Sequence, residues 1–168
     1  MIIKMKKYLM FIGMLWGVVA FGQEIKTVQV YGQEYEYMYE FTLGEYIPTM
    51  KYEAEWQEKL DKMDHAPLVG EKIRIGPEFI LFSNMAWFGG KILRIFKEDQ
   101  FCTFELEAYN YNRNIKQTLL LRFEKKDGKF VEILFKWRGG NGGMCYSKFK
   151  LNEPLFNLQK SFPDIPII

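Results

Sequence analysis

Apolar and polar side chains alternate at every second residue along most of this chain, and few folds accept that period. In "YEYMYEF" (35–41), Tyr35, Tyr37, Tyr39 and Phe41 fall on one face and Glu36, Met38 and Glu40 on the other. "FCTFELEAY" (101–109) sets Cys102, Phe104, Leu106 and Ala108 against Thr103, Glu105 and Glu107, and "IKQTLLLRF" (115–123) and "FVEILFKW" (130–137) alternate in the same way. A period of two is the mark of a half-buried strand. "EKIRIGPEFILF" (71–82) reads as one strand bent at Gly76-Pro77 or as two short ones. "WFGGKILRIF" (87–96) changes phase at Gly89-Gly90, where a bulge or sharp bend is expected.

The connections are short. Asp127-Gly128 between two alternating runs is a two-residue hairpin signal. "KEDQ" (97–100) and "NYNRN" (110–114) are polar linkers of hairpin length. Residues 85–151 therefore read as an antiparallel meander. One segment departs from this period. In "PTMKYEAEWQEKLDKM" (48–63), Tyr52, Trp56, Leu60 and Met63 form a helical stripe, Thr49 stands at the cap position, and Glu55/Lys59 and Glu58/Lys62 are i,i+4 pairs. A helix is expected over 49–63, ended by Asp64 to Pro67. A second, short one is expected after Asn152, with Pro154 in its first turn and Pro163 stopping it. Strands with so few helices to cover them must close on each other. The expected fold is mainly β: an antiparallel barrel or sandwich of about eight strands, with one inserted amphipathic helix.

The first residues carry a different message. Lys4, Lys6 and Lys7 precede an uncharged apolar stretch over 8–21, and Ala20-Phe21-Gly22 has the small-x-small pattern of a signal-peptidase site. That stretch is shorter than the roughly 20 residues of a spanning helix. Residues 1–22 are expected to be a cleaved export signal and 23–168 a single β-rich domain, periplasmic or secreted. Cleavage would remove three lysines and no acid, taking the formal charge from +2 to −1. So balanced a domain has no long-range attraction for phosphate backbones, which argues against nucleic acid as a partner. Four of the 29 aromatic residues would leave with the signal, and the remainder can build a substantial core.

Chemistry is harder to place. His65 is the single histidine. This excludes zinc sites built on several imidazoles, and His65 itself is expected to be a surface cap at the helix C-terminus. Gly139-Gly140-Asn141-Gly142-Gly143 resembles a ligand cradle, but an alternating segment follows it, with neither a helix nor the lysine of a phosphate-binding loop. A hairpin loop at one rim is the simpler reading. Cys102 and Cys145 both lie on apolar parities, which allows a core bridge in an exported chain, but in a simple meander two strands separate them, which favours two buried thiols. Glu105 and Glu107, like Glu34, Glu36 and Glu40, sit opposite apolar faces, as solvated wall residues do. No nucleophile–base pair, metal set or cofactor motif can be assembled, and the chain is expected to be non-catalytic.

With its export signal, eight or so antiparallel strands, short hairpins and aromatic interior, the chain resembles in outline the lipocalin-like barrels. The family's glycine-x-tryptophan near the first strand is absent; Gly70-Glu71-Lys72 stands where it would be sought. The expected function is the binding of an apolar or aromatic-stacking small ligand inside the barrel or at its rim. Tyr37, Tyr39, Trp87 and Trp137 are the expected wall, with Arg138 at the mouth. The alternative is a cell-envelope interaction module that docks a protein or glycan through an exposed aromatic row.

Overall fold

The computed structural model describes residues 24–30, 32–49, 55–83, 87–110, 114–138 and 143–162. The leader at 1–22, Tyr52 of the helical stripe, Pro163 and residues 139–142 of the glycine loop lie outside them. Ten strands are described: β1 (Lys26–Val30), β2 (Gln33–Tyr37), β3 (Tyr39–Ile47), β4 (Lys72–Ile75), β5 (Phe79–Phe82), β6 (Trp87–Lys97), β7 (Phe101–Asn110), β8 (Ile115–Lys126), β9 (Lys129–Arg138) and β10 (Met144–Leu155). An α-helix, α1, covers Glu55–Lys62, and 3-10 turns cover Ala66–Leu68 and Leu158–Ser161.

β3 to β10 form a closed antiparallel barrel of eight strands in chain order, with β10 returning to pair with β3, while β1 and β2 make a separate hairpin. The two readings left open by the period thus resolve as a barrel. Inward positions are apolar and almost wholly buried, among them Phe41, Ile73, Ile80, Phe104, Leu121, Phe123, Ile133 and Phe149. Phe82 on β5 and Phe135 on β9 face each other across the ring of strands, with centroids 6.1 Å apart. Phe41 and Phe104 each meet Phe123 edge-on, at 5.6 and 5.7 Å. At this level the lumen is occupied by side chains.

The outer wall is charged. Arg94 pairs with Glu105 at 2.8 Å, Lys116 with Glu107 at 3.0 Å and Arg74 with Glu40 at 2.7 Å. Lys148 lies 2.9 Å from Glu124 and 2.7 Å from Glu132. Burial alone would raise the Glu132 carboxyl, but Lys126 and Lys148 hold it below its ordinary value. Apolar inside and charged outside is the reverse of a transmembrane barrel. Among the described residues no helix is long and apolar enough to cross a membrane.

The two ends differ. Where β3 begins and β10 finishes, the last 3-10 turn folds under the barrel. Leu158 and Phe162 are buried there, the Phe162 ring sits 5.1 Å from that of Phe104, and the Tyr39 hydroxyl bonds to Ser161. At the opposite end α1 packs beside β10. Below Lys148, β10 pairs with β3, but toward Met144 it runs past the end of its neighbour. The Gln57 amide takes that place like a short piece of strand. Its Nε2 donates to the Tyr146 carbonyl at 2.9 Å and its Oε1 accepts from the Tyr146 N–H at 3.0 Å.

Several expectations are corrected. The tyrosine row is not one strand: the chain bends at Met38, so Tyr35 and Tyr37 stay on the hairpin while Tyr39 and Phe41 enter the core. The bend follows from close backbone approach, since a Cβ on Gly76 would lie 2.1 Å from the Glu36 carbonyl oxygen. Residues 71–82, read as one bent strand or two short ones, form two, β4 and β5. Among the described residues no α-helix follows Asn152: β10 continues through Pro154 to Leu155 across an irregular register, where a missing N–H costs little, and the helical stretch there is a 3-10 turn. Thr49 bonds Asp61 through its backbone N–H at 3.1 Å and accepts from Gln57 through its hydroxyl at 2.7 Å, locking the helix to the chain before it. Met63, counted in the apolar stripe, is 60% exposed just beyond the helix end.

Candidate binding surface

The site residues expected from the sequence do not converge. Tyr37 is half-buried on the hairpin, with the Arg74 guanidinium 5.4 Å from its ring centroid. Tyr39 is only 6% exposed, inside the plugged end of the barrel, and burial raises its hydroxyl above the ordinary value. Trp137 also points inward, but near the other end, opposite Leu119 and Cys145. Arg138 is exposed at the end of β9, where its carbonyl accepts from Gln117. Trp87 opens β6 opposite Asn110, and its side chain lies outside the described residues. Tyr37, Tyr39 and Trp137 therefore share no wall, because the bend at Met38 and the two barrel ends separate them.

Among the described residues, two concave surfaces lie on the outside of the barrel. At Gly89 the outward position of β6 carries no side chain, with Leu81 beside it on β5 and Tyr109 on β7. The backbone there is tight: a Cβ would sit 2.6 Å from the Ile80 carbonyl oxygen. The missing side chain leaves a trough between Leu81 and Tyr109. The hairpin supplies its upper edge, where Tyr35 meets Phe79 edge-on, with centroids 5.5 Å apart at 76°. Together these residues enclose a hollow of about 300 Å³. Lys91, Glu107 and Lys116 stand at its rim, and Tyr109 donates its hydroxyl to Asn114.

A second hollow, of about 480 Å³, opens on the other side of the same ring pair, bounded by Glu34, Glu36, Pro77 and Glu78. Tyr35 and Phe79 line both. The hydroxyl of Tyr35 donates to Gln33 at 2.7 Å, which fixes the ring against the β4–β5 turn. The sequence held one signal for this surface: a double glycine in a strand marks close backbone approach. Nothing in the alternation revealed that Phe79 and Leu81 face outward, toward the hairpin.

The remaining candidates have structural roles. His65 donates from Nε2 at 2.8 Å to the Leu60 carbonyl, as a cap would, but its ring also stacks on Tyr46 at 3.4 Å and abuts Phe149. It is thus part of the barrel's cover rather than a simple surface residue. Tyr46 donates to Asp61 at 2.6 Å, and burial together with that carboxylate pushes its hydroxyl well above the usual range. Cys102 and Cys145 are buried and not bonded to each other. They begin β7 and β10, which run in opposite directions, so they sit toward opposite ends of the barrel. Glu105 and Glu107 each have a basic partner on the wall, as solvated wall residues do. No known family model, curated protein or solved structure matches the chain.

Proposed function

We propose that the protein is an exported, non-catalytic interaction module that docks a partner chain on the outside of its barrel, along the Tyr35–Phe79 ring pair. One observation carries this reading: two adjoining hollows share an aromatic pair on the outer wall, while rings from opposite strands touch at the middle of the lumen. Rings presented edge-on beside a trough offer apolar contact at small entropic cost, as recognition surfaces do. Amide NMR with N-acetyltryptophanamide as probe tests it. Shifts are expected at Tyr35, Leu81, Gly89 and Tyr109. Shifts confined to the inward positions Leu119, Phe135 and Ser147 would instead favour a carrier with its ligand inside.

A further inference from the structure

We infer that the partner docked on this wall is a basic polypeptide segment, which places an arginine or lysine in the larger hollow and an apolar side chain in the trough beside it. The inference rests on the outer-wall reading above and adds the chemistry of the occupant. It starts from a contrast among glutamates. On the barrel wall Glu40, Glu45, Glu105, Glu107, Glu124 and Glu132 each lie within ion-pair distance of a lysine or arginine, and Glu153 near the end of β10 is an exception among the described residues. Around the larger hollow stand Glu34, Glu36 and Glu78, with no basic residue in the lining and no ion pair to any of the three among the described residues. Glu34 accepts only the Gln29 amide, at 3.1 Å.

Three uncompensated carboxylates beside two aromatic rings form the environment a guanidinium or ammonium prefers, since the charges attract it and the ring faces accept its flat or methylene surface. The neighbouring trough has the opposite character, with Leu81, the bare backbone of Gly89 and the Tyr109 ring. The hollows share Tyr35 and Phe79, so one occupant can reach both. In an extended peptide, side chains two residues apart point the same way at about 6.7 Å spacing. A basic residue followed two places on by an apolar one would straddle the ring pair.

The test uses the mature protein and the blocked peptide Ac-Gly-Arg-Gly-Phe-Gly-NH2, with counterparts in which citrulline or glutamate replaces arginine. The arginine peptide is expected to shift the amides of Gln33 to Glu36 and of Phe79 to Leu81. It should bind about tenfold tighter than the citrulline form, an advantage lost in Glu34→Gln/Glu36→Gln/Glu78→Gln and weakened by salt. These residues hold no ion pair of the fold, so the variant should keep the wild-type amide spectrum; should it not, the three single variants each carry part of the same loss. Equal binding of all three peptides at these amides would overturn the basic partner and leave the wall reading standing. N-acetylarginine amide binding as tightly as the peptide would overturn the polypeptide occupant. If no peptide shifts these amides, the wall reading fails with it.

Discussion

Gly76 is the residue at which a single methyl group should do most harm. A Cβ there would sit 2.1 Å from the Glu36 carbonyl oxygen and 3.2 Å from that of Phe79, both backbone atoms with little room to yield. Gly76→Ala should therefore push the hairpin off the β4–β5 turn, with an overpacking cost of about 1–3 kcal/mol. Urea unfolding measures the cost, and faster amide exchange in β1 and β2 would locate it. Cys102 makes a different prediction. Burial pushes its thiol up to about 12 from an ordinary 9.0, with Lys97 and Lys125 only partly offsetting. The native thiol stays protonated, so it should resist alkylation at pH 8 and react only on unfolding. The sign for stability follows: the unfolded thiol ionises first, so this group costs nothing below about pH 9. Its effect grows by up to about 1.4 kcal/mol per pH unit until the native thiol ionises as well. Cys102→Ala should flatten that alkaline decline.

At the scale of elements, α1 is joined to the barrel by polar bonds as much as by apolar contact, and Gln57 is the joint. Only 2% exposed, it gives both ends of its amide to Tyr146 where β10 outruns β3. Gln57→Ala removes both bonds, and a loss of about 2 kcal/mol is expected, with faster exchange of the Tyr146 amide. Gln57→Glu is the sharper test, because a carboxylate cannot donate to the Tyr146 carbonyl and should cost at least as much as alanine. This joint also marks the limit of what the sequence made legible. The strands of the meander, the Asp127-Gly128 turn and the irregularity at Gly89 all follow from period and turn chemistry, which are local. The pairing of a helical glutamine with a strand 89 residues away is not local. Neither is the division of the tyrosine row: alternation alone runs unbroken through Met38, and the close approach of Gly76, in the turn after β4, goes with the bend that keeps Tyr37 out and takes Tyr39 in. The candidate surface was hidden for the same reason, since β5 reads as apolar throughout and its outward residues are covered by a hairpin distant in sequence.

At the scale of the whole molecule, the packing inside the barrel and the outer surface proposed for recognition lie apart, and the two can be tested separately. Phe162 is 3% exposed and stops the lower end against Phe104, while Gln159 holds the same turn in place through bonds of 2.6 and 3.0 Å to the Glu98 and Phe101 carbonyls. Phe162→Ala should leave an apolar cavity beside Phe104, at a cost of about 3–5 kcal/mol if the wall does not collapse. An apolar cavity of that kind stays dry and takes up small apolar molecules, so the variant should regain stability in the presence of benzene, and wild-type protein should not. The hollows around Tyr35 and Phe79 belong to the hairpin and to the outward side of β5, so the probe response there should match wild type. A benzene-stabilised variant whose outer surface still responds would show that filling the barrel and reading a partner are independent properties of the fold. Benzene stabilising the wild type equally would mean that the native interior already has room for a guest, and would return the search for a ligand to the lumen.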